Sequence, residues 1–182
     1  MNVELPGCRA EMEWAAAETA VMMARVAPCF DIYVRLPHLD RPAVEAFLER
    51  HVPSWREPDA WLSEGAGEIL EAGLSGSCSG EVLYSRGSKG LVPPELEFVI
   101  VAFQRDDGVV LGVSIDIAVD QDAAALVADR WLTRLPAETG AAQAFFQAEE
   151  PPPLSDAEWR EAVERAYGVT GSGPRPGSWT TG

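Results

Sequence analysis

Basic residues are scarce in this 182-residue chain. A single lysine, Lys89, accompanies the arginines, and together these 14 bases face 29 Asp and Glu, for a net charge of −15. Phosphate binding needs clustered Lys or Arg to release counterions, so nucleic acid is excluded as an expected partner. Cysteine is scarce too. Cys8, Cys29 and Cys78 are an odd number with no paired spacing, which argues against a disulfide framework or a zinc knuckle and for a reducing, cytoplasmic compartment. No apolar run approaches the roughly 18 residues of a membrane span. Leu5-Pro6-Gly7-Cys8 has the look of a lipobox but lacks the basic and apolar stretches that precede one; no membrane partner is expected. Neither Gly-rich segment is a phosphate loop, because Gly90 follows Lys89 where a Walker motif needs the opposite order.

What the chain does have is apolar residues, 47% of the total, and six tryptophans. It can therefore bury a core despite its charge, and its length suits one domain with appendages. Residues 1–168 read as that domain, with an insertion at 53–94, and 169–182 as a flexible tail rich in Gly, Ser, Pro and Thr.

Hydrophobic periodicity orders the segments. Arg9–Val26 has helical spacing. Cys29–Leu36 alternates as a strand, with Phe30, Ile32, Val34 and Leu36 on one face and Asp31, Tyr33 and Arg35 on a wetter one. Arg41–Val52 follows as a helix capped by Asp40 with Pro42 in its first turn. Leu96–Gln104 and Val109–Ala118 form a hairpin across Asp107-Gly108. Gln121–Leu135 is a second helix, ended by Pro136 and Gly140, and Ala141–Ala148 returns as an edge strand. That series, β-α-β-β-α-β, predicts an α+β fold of the ferredoxin-like split βαβ type: a four-stranded sheet with both helices on one face. In the insertion, Ser54–Glu57 has capping-box spacing for a short helix through Trp61 and Leu62. Glu68–Ala72 makes another turn stopped by Gly73, and Glu81–Tyr84 a strand. After the extended Pro151-Pro152-Pro153, the signals of a docked helix over Leu154–Gly168 agree with one another: a Ser155/Glu158 capping box, a Leu154/Trp159 staple and the stop at Gly168.

No catalytic set stands out, and no cofactor is implied. Cys78 lies in a Gly/Ser loop that His38 or His51 could approach, but an ordinary loop cysteine accounts for it better. Asp116, Asp120 and Asp122, with Glu149 and Glu150, could offer oxygen ligands to a hard cation. No histidine accompanies them and Asp120 serves as a helix cap, so they read as solvated carboxylates and no metal site is assigned. Two candidate sites remain. Trp55 and Trp61 stand in the insertion among Glu57, Asp59, Glu64 and Glu68, an aromatic-and-acid mixture suited to binding a protein partner. Alternatively Tyr33, Arg35, His38, Ser114 and Asp116 supply polar groups to a small-molecule or enzymatic pocket between the sheet and the Gly/Ser-rich insertion.

Size, dispersed acidity, an α+β body and the lack of a catalytic set together resemble the small acidic immunity proteins that bacteria encode beside polymorphic toxins. The Ala- and Arg-rich, Lys-poor composition fits a GC-rich bacterial genome. The resemblance is one of class and carries no family motif. It implies an inhibitor that neutralises a basic partner, a toxin or an enzyme, by covering its active site.

Overall fold

A computed structural model of the protein describes residues 29–57, 66–85, 91–116, 121–170 and 173–174. The anticipated helix over Arg9–Val26, the segment carrying Asp59, Trp61 and Glu64, and the cap residue Asp120 lie outside the described residues. The fold is α+β. Strands β1 (Cys29–Leu36), β2 (Gly80–Ser85), β3 (Leu96–Phe103), β4 (Val109–Asp116), β5 (Ala144–Ala148), β6 (Gly168–Val169) and β7 (Gly173–Pro174) join in one antiparallel sheet. Its order is β2-β3-β4-β1-β5-β6-β7. Four strands were expected; among the described residues the sheet has seven. The four expected ones occupy contiguous places, β3-β4-β1-β5. The insertion adds β2 at one edge, and the segment read as a tail adds β6 and β7 at the other.

Local chemistry explains most boundaries. Helix α1 (Arg41–His51) starts where the Asp40 carboxylate accepts from the Ala43 N–H at 3.1 Å. The β3–β4 hairpin closes through Gln104 N–H to Gly108 O at 2.8 Å, with Asp107 at φ 64°, as the Asp-Gly pair had indicated. Helix α2 (Ala66–Leu74) passes through Gly73 rather than stopping there. A Cβ at Gly73 would collide with the Phe103 ring, so this glycine serves close packing. The stop is Gly76 at φ 71°, in a Schellman arrangement: Ser77 N–H bonds Ala72 O and Gly76 N–H bonds Gly73 O, both at 2.9 Å.

Helix α3 (Gln121–Thr139) likewise runs through Pro136 and ends at Gly140, whose φ is 73°. Proline cannot donate to the carbonyl four residues earlier, which is why Pro136 read as a terminator. Here the Thr170 hydroxyl, whose oxygen accepts from Ala144 N–H at 2.8 Å, lies 3.1 Å from that orphaned Leu132 carbonyl and 3.1 Å from Ala144 O, so its one proton is shared between the two acceptors. A residue of the supposed tail thus permits the helix to continue.

Helices α1, α2 and α3 cover one face of the sheet. Phe47, Leu70 and Trp131 pack there with Ile32, Val99 and Ile115. The other face is not wet. Helix α4 (Asp156–Arg165) lies across it, and Trp159, Ala162 and Ala166 pack with Tyr33, Ile100 and Phe145. The rings of Trp159 and Phe145 meet edge-on at 4.8 Å. Ser155 caps α4 through Glu158 N–H at 3.2 Å, while the Glu158 carboxylate accepts from Leu154 N–H, one residue before the expected capping-box partner, at 2.7 Å. The sheet is therefore the middle of three layers, and β1 is buried on both sides.

Two substitutions test this packing by denaturant titration. Trp159→Ala should cost about 3–5 kcal/mol, the usual loss for a buried aromatic; a change near zero would mean α4 does not cover the sheet. Thr170→Val should cost about 1–3 kcal/mol, because it leaves the Leu132 carbonyl unpaired. Stability equal to wild type would remove Thr170 from the account of Pro136.

Candidate functional site

Burial on both faces forces the polar residues of β1 to find partners inside the protein. Arg35, whose side chain is 15% exposed, is the most heavily engaged. Its Nε donates to Gln104 Oε1 at 2.6 Å, its Nη1 lies 3.0 Å from Asp156 and its Nη2 lies 3.6 Å from Asp106. The same carboxylate of Asp106 accepts from Asp156 N–H at 2.6 Å, and Gln104 Nε2 donates to Pro153 O at 3.0 Å. Arg35 thus ties the hairpin turn to the start of α4. A Cβ at Gly108 would collide with Gln104 Oε1, so the hairpin glycine makes room for this network.

Beside the network, at the hairpin end of the sheet, lies a cleft of about 550 Å³, within the usual range of about 300–1,000 Å³ for ligand sites. His38 and Leu39 form one wall, the 76–79 link after α2 a second, and the hairpin a third. Phe103 and Val109 give the hairpin wall an apolar base, and Gln104, Arg105 and Asp107 give it a polar rim. Cys78 belongs to the second wall, and its thiol donates to Ser79 O at 3.2 Å. Ser75 and Ser77 hydroxyls donate to Ala72 O at 2.8 and 3.0 Å, satisfying a terminal carbonyl of α2. His38 and Cys78 therefore share a cleft, whereas His51 does not. His51 is a core residue: Nδ1 meets Val92 O at 2.8 Å and Nε2 meets Glu138 at 2.9 Å, between the rings of Phe47 and Trp131. Burial acts to raise the Glu138 carboxyl, but hydrogen bonds from Arg134 and His51 hold it below its ordinary value.

The proposed pocket residues separate into three places. Tyr33, Ser114 and Asp116 lie farther from the hairpin along β1 and β4, Arg35 is in the partly exposed network, and His38 reaches the cleft. Tyr33 and Ser114 join a buried polar cluster that the sequence reading missed. Asp31, paired in register with Ser114 and Gln147, is 7% exposed and accepts a hydrogen bond from the Ser114 hydroxyl. Burial, with the charge of Glu149 adding to it, pushes Asp31 up to about 7 despite hydrogen bonds from Ser114 and the Glu149 backbone. Burial also raises the Tyr33 hydroxyl, which donates to Glu150 O at 3.1 Å. Cys29, opposite Asp116, is pushed up to about 12, first by burial and then by nearby carboxylates. Among the described residues no group of three His, Cys, Asp or Glu is placed to hold a metal ion, and no helix is long and apolar enough to cross a membrane.

The proposed protein-binding set also changes. Trp55 is 3% exposed and packs in the main core beneath the Arg56 guanidinium, 4.2 Å from its ring centroid, so it is not a surface anchor. It is buried because 53–57 forms turns folded against the core instead of the expected helix. Glu57 and Glu68 are exposed. No known family model matches the sequence, and no curated protein or solved structure matches it either.

The Asp31 environment has a signed consequence. Between the ordinary value of 3.8 and about 7 the folded protein retains a proton that the unfolded chain has released. Folded stability contributed by Asp31 therefore falls as pH rises across that window. Asp31→Asn, which keeps a hydrogen-bond acceptor for Ser114, should gain on wild type as pH increases from about 4 to 7 in urea titrations. Parallel pH profiles for the two proteins would contradict a protonated, buried Asp31.

Proposed function

We propose that the protein is an interaction module that binds and neutralises a basic protein, a toxin or an enzyme, in the manner of the immunity class. One observation carries this reading: where the few positive charges go. Arg35, Arg41, Arg50, Arg56, Arg134 and Arg160 each lie within ion-pair distance of a carboxylate, and so does Arg165. Local pairing neutralises these cations and leaves the surplus of a −15 chain directed outward. A surplus of one sign accelerates encounter with the opposite sign and rejects like-charged competitors. Glu57, and Glu68 in α2, are exposed and belong to the set of residues first assigned to the partner; Trp61 stays in the proposal as its anchor and Trp55 leaves it. We read β3-β4-β1-β5 with α1 and α3 as a split βαβ core to which β2, β6 and β7 are additions, a reading supported by their contiguous order and by both helices sharing a face.

A second reading, a small-ligand domain, is favoured by the cleft between the hairpin and the Gly/Ser-rich link. It follows the pocket position expected from sequence, although of the residues named for it only His38 lines the cleft.

The test of the first reading is a pull-down against the products of neighbouring genes, followed by kinetics. With an acid-steered partner, the association rate should fall steeply between about 0.05 and 0.5 M salt, where screening shortens from more than 10 Å to a few Å. Glu57→Gln with Glu68→Gln should lower the same rate and leave dissociation nearly unchanged. A partner bound at a salt-independent rate would defeat the proposal.

A further inference from the structure

The cleft at the hairpin end contains an exception to the charge pattern of the molecule. Arg105 is exposed and lines it, and no carboxylate pairs with its guanidinium among the described residues. His38, on the facing wall, is exposed and has no side-chain partner either. In a chain where carboxylates outnumber bases by about two to one, Arg105 and Arg130 are the arginines left without a carboxylate among the described residues, and of the two it is Arg105 that shares a cleft with an unpaired imidazole, a place left for an external anion. The floor between them is apolar, with Leu39, Phe103 and Val109. The C-terminal end of α2, which would repel an anion, is blunted because Ala72 O already accepts from the hydroxyls of Ser75 and Ser77.

We propose that this cleft binds a small amphiphilic anion, a carboxylate or phosphate on a compact apolar body, with the body on Leu39, Phe103 and Val109 and the charge held by Arg105 and His38. Guanidinium matches both oxyanions in a forked geometry, which fits Arg105 to either head group. Asp107, on the same rim, opposes the anion and limits its affinity. The Arg35 network supports the site from behind, since Gln104 and Gly108 belong to both. This inference rests on the ligand-cleft reading and is independent of the basic partner.

The experiment is a titration of the full chain followed by amide chemical shifts, with phenylacetate, phenyl phosphate and the neutral phenylacetamide as probes. The anions should shift the amides of Gly76, Ser77 and Gly108, and the neutral amide should bind about tenfold more weakly, the loss expected for a missing charged hydrogen bond. Whichever of phenylacetate and phenyl phosphate binds more tightly identifies the head group. Arg105→Gln, at an exposed position, should reduce the anion to the level of the amide. Asp107→Asn should tighten it, and asparagine is among the side chains that tolerate the positive φ there. Equal binding of phenylacetate and phenylacetamide, or an unchanged affinity in Arg105→Gln, would overturn the anion assignment while leaving a ligand cleft. No shift at these amides with any probe would remove the cleft as well.

Discussion

The structure depends on the closure of the second sheet face by α4, and that closure is fixed at its start by Arg35. A guanidinium on the central strand reaches Asp106 in the hairpin turn and Asp156 in the first turn of α4, with Gln104 completing the shell. The Asp106 and Asp156 side chains are 37% and 33% exposed, so solvent screens the cluster and its net contribution to stability is small. Its value here is positional. It sets where α4 crosses the sheet, so that Trp159 meets Phe145 and the last residues of the helix lead into β6. At the junction with β6, Gly168 has no room for a Cβ against the Phe146 ring.

Two polar regions follow from the same closure. At the end of the sheet away from the hairpin, α4 and residues 147–150 remove Asp31 and Tyr33 from water, and the carboxyl responds by holding its proton to higher pH. At the hairpin end, the Arg35 network fixes Gln104 and Gly108, and with them one wall of the cleft. The acidic exterior and the cleft are therefore separate features of one electrostatic arrangement: most arginines are consumed by neighbouring carboxylates, and among the described residues Arg105, in the cleft, and Arg130, outside it, are left over.

Elements governed by local pattern were legible in the sequence. The alternation of Phe30, Ile32, Val34 and Leu36 defined β1, Asp107-Gly108 defined the hairpin, and Ser155 with Glu158 marked the start of α4. Errors arose where a distant residue reversed a local rule. Pro136 reads as a stop until Thr170 supplies the missing donor, and Gly73 reads as a stop until Phe103 is seen to need its space. Asp31, Tyr33 and Arg35 read as a wet face because nothing in β1 says that a helix 120 residues later covers it. Trp55 looked like an anchor from its acidic neighbours, yet the turns at 53–57 fold it inward. Of the candidate site, His38 was legible and Arg105 was not. A basic residue in a polar turn carries no local signal; its importance lies in lacking a partner, which only the folded arrangement reveals.

Amide hydrogen exchange on Arg35→Met tests the central claim most directly, because methionine preserves much of the apolar stem while deleting the charge network. The account predicts that protection is lost at Arg105, Asp156 and Trp159, whose amides bond Leu154 O, the Asp106 carboxylate and Ser155 O at the hairpin–α4 junction, while the paired amides of β3 and β4 stay protected. Protection at Asp156 and Trp159 equal to that of wild type would mean that α4 closes the second face without Arg35, and would contradict it.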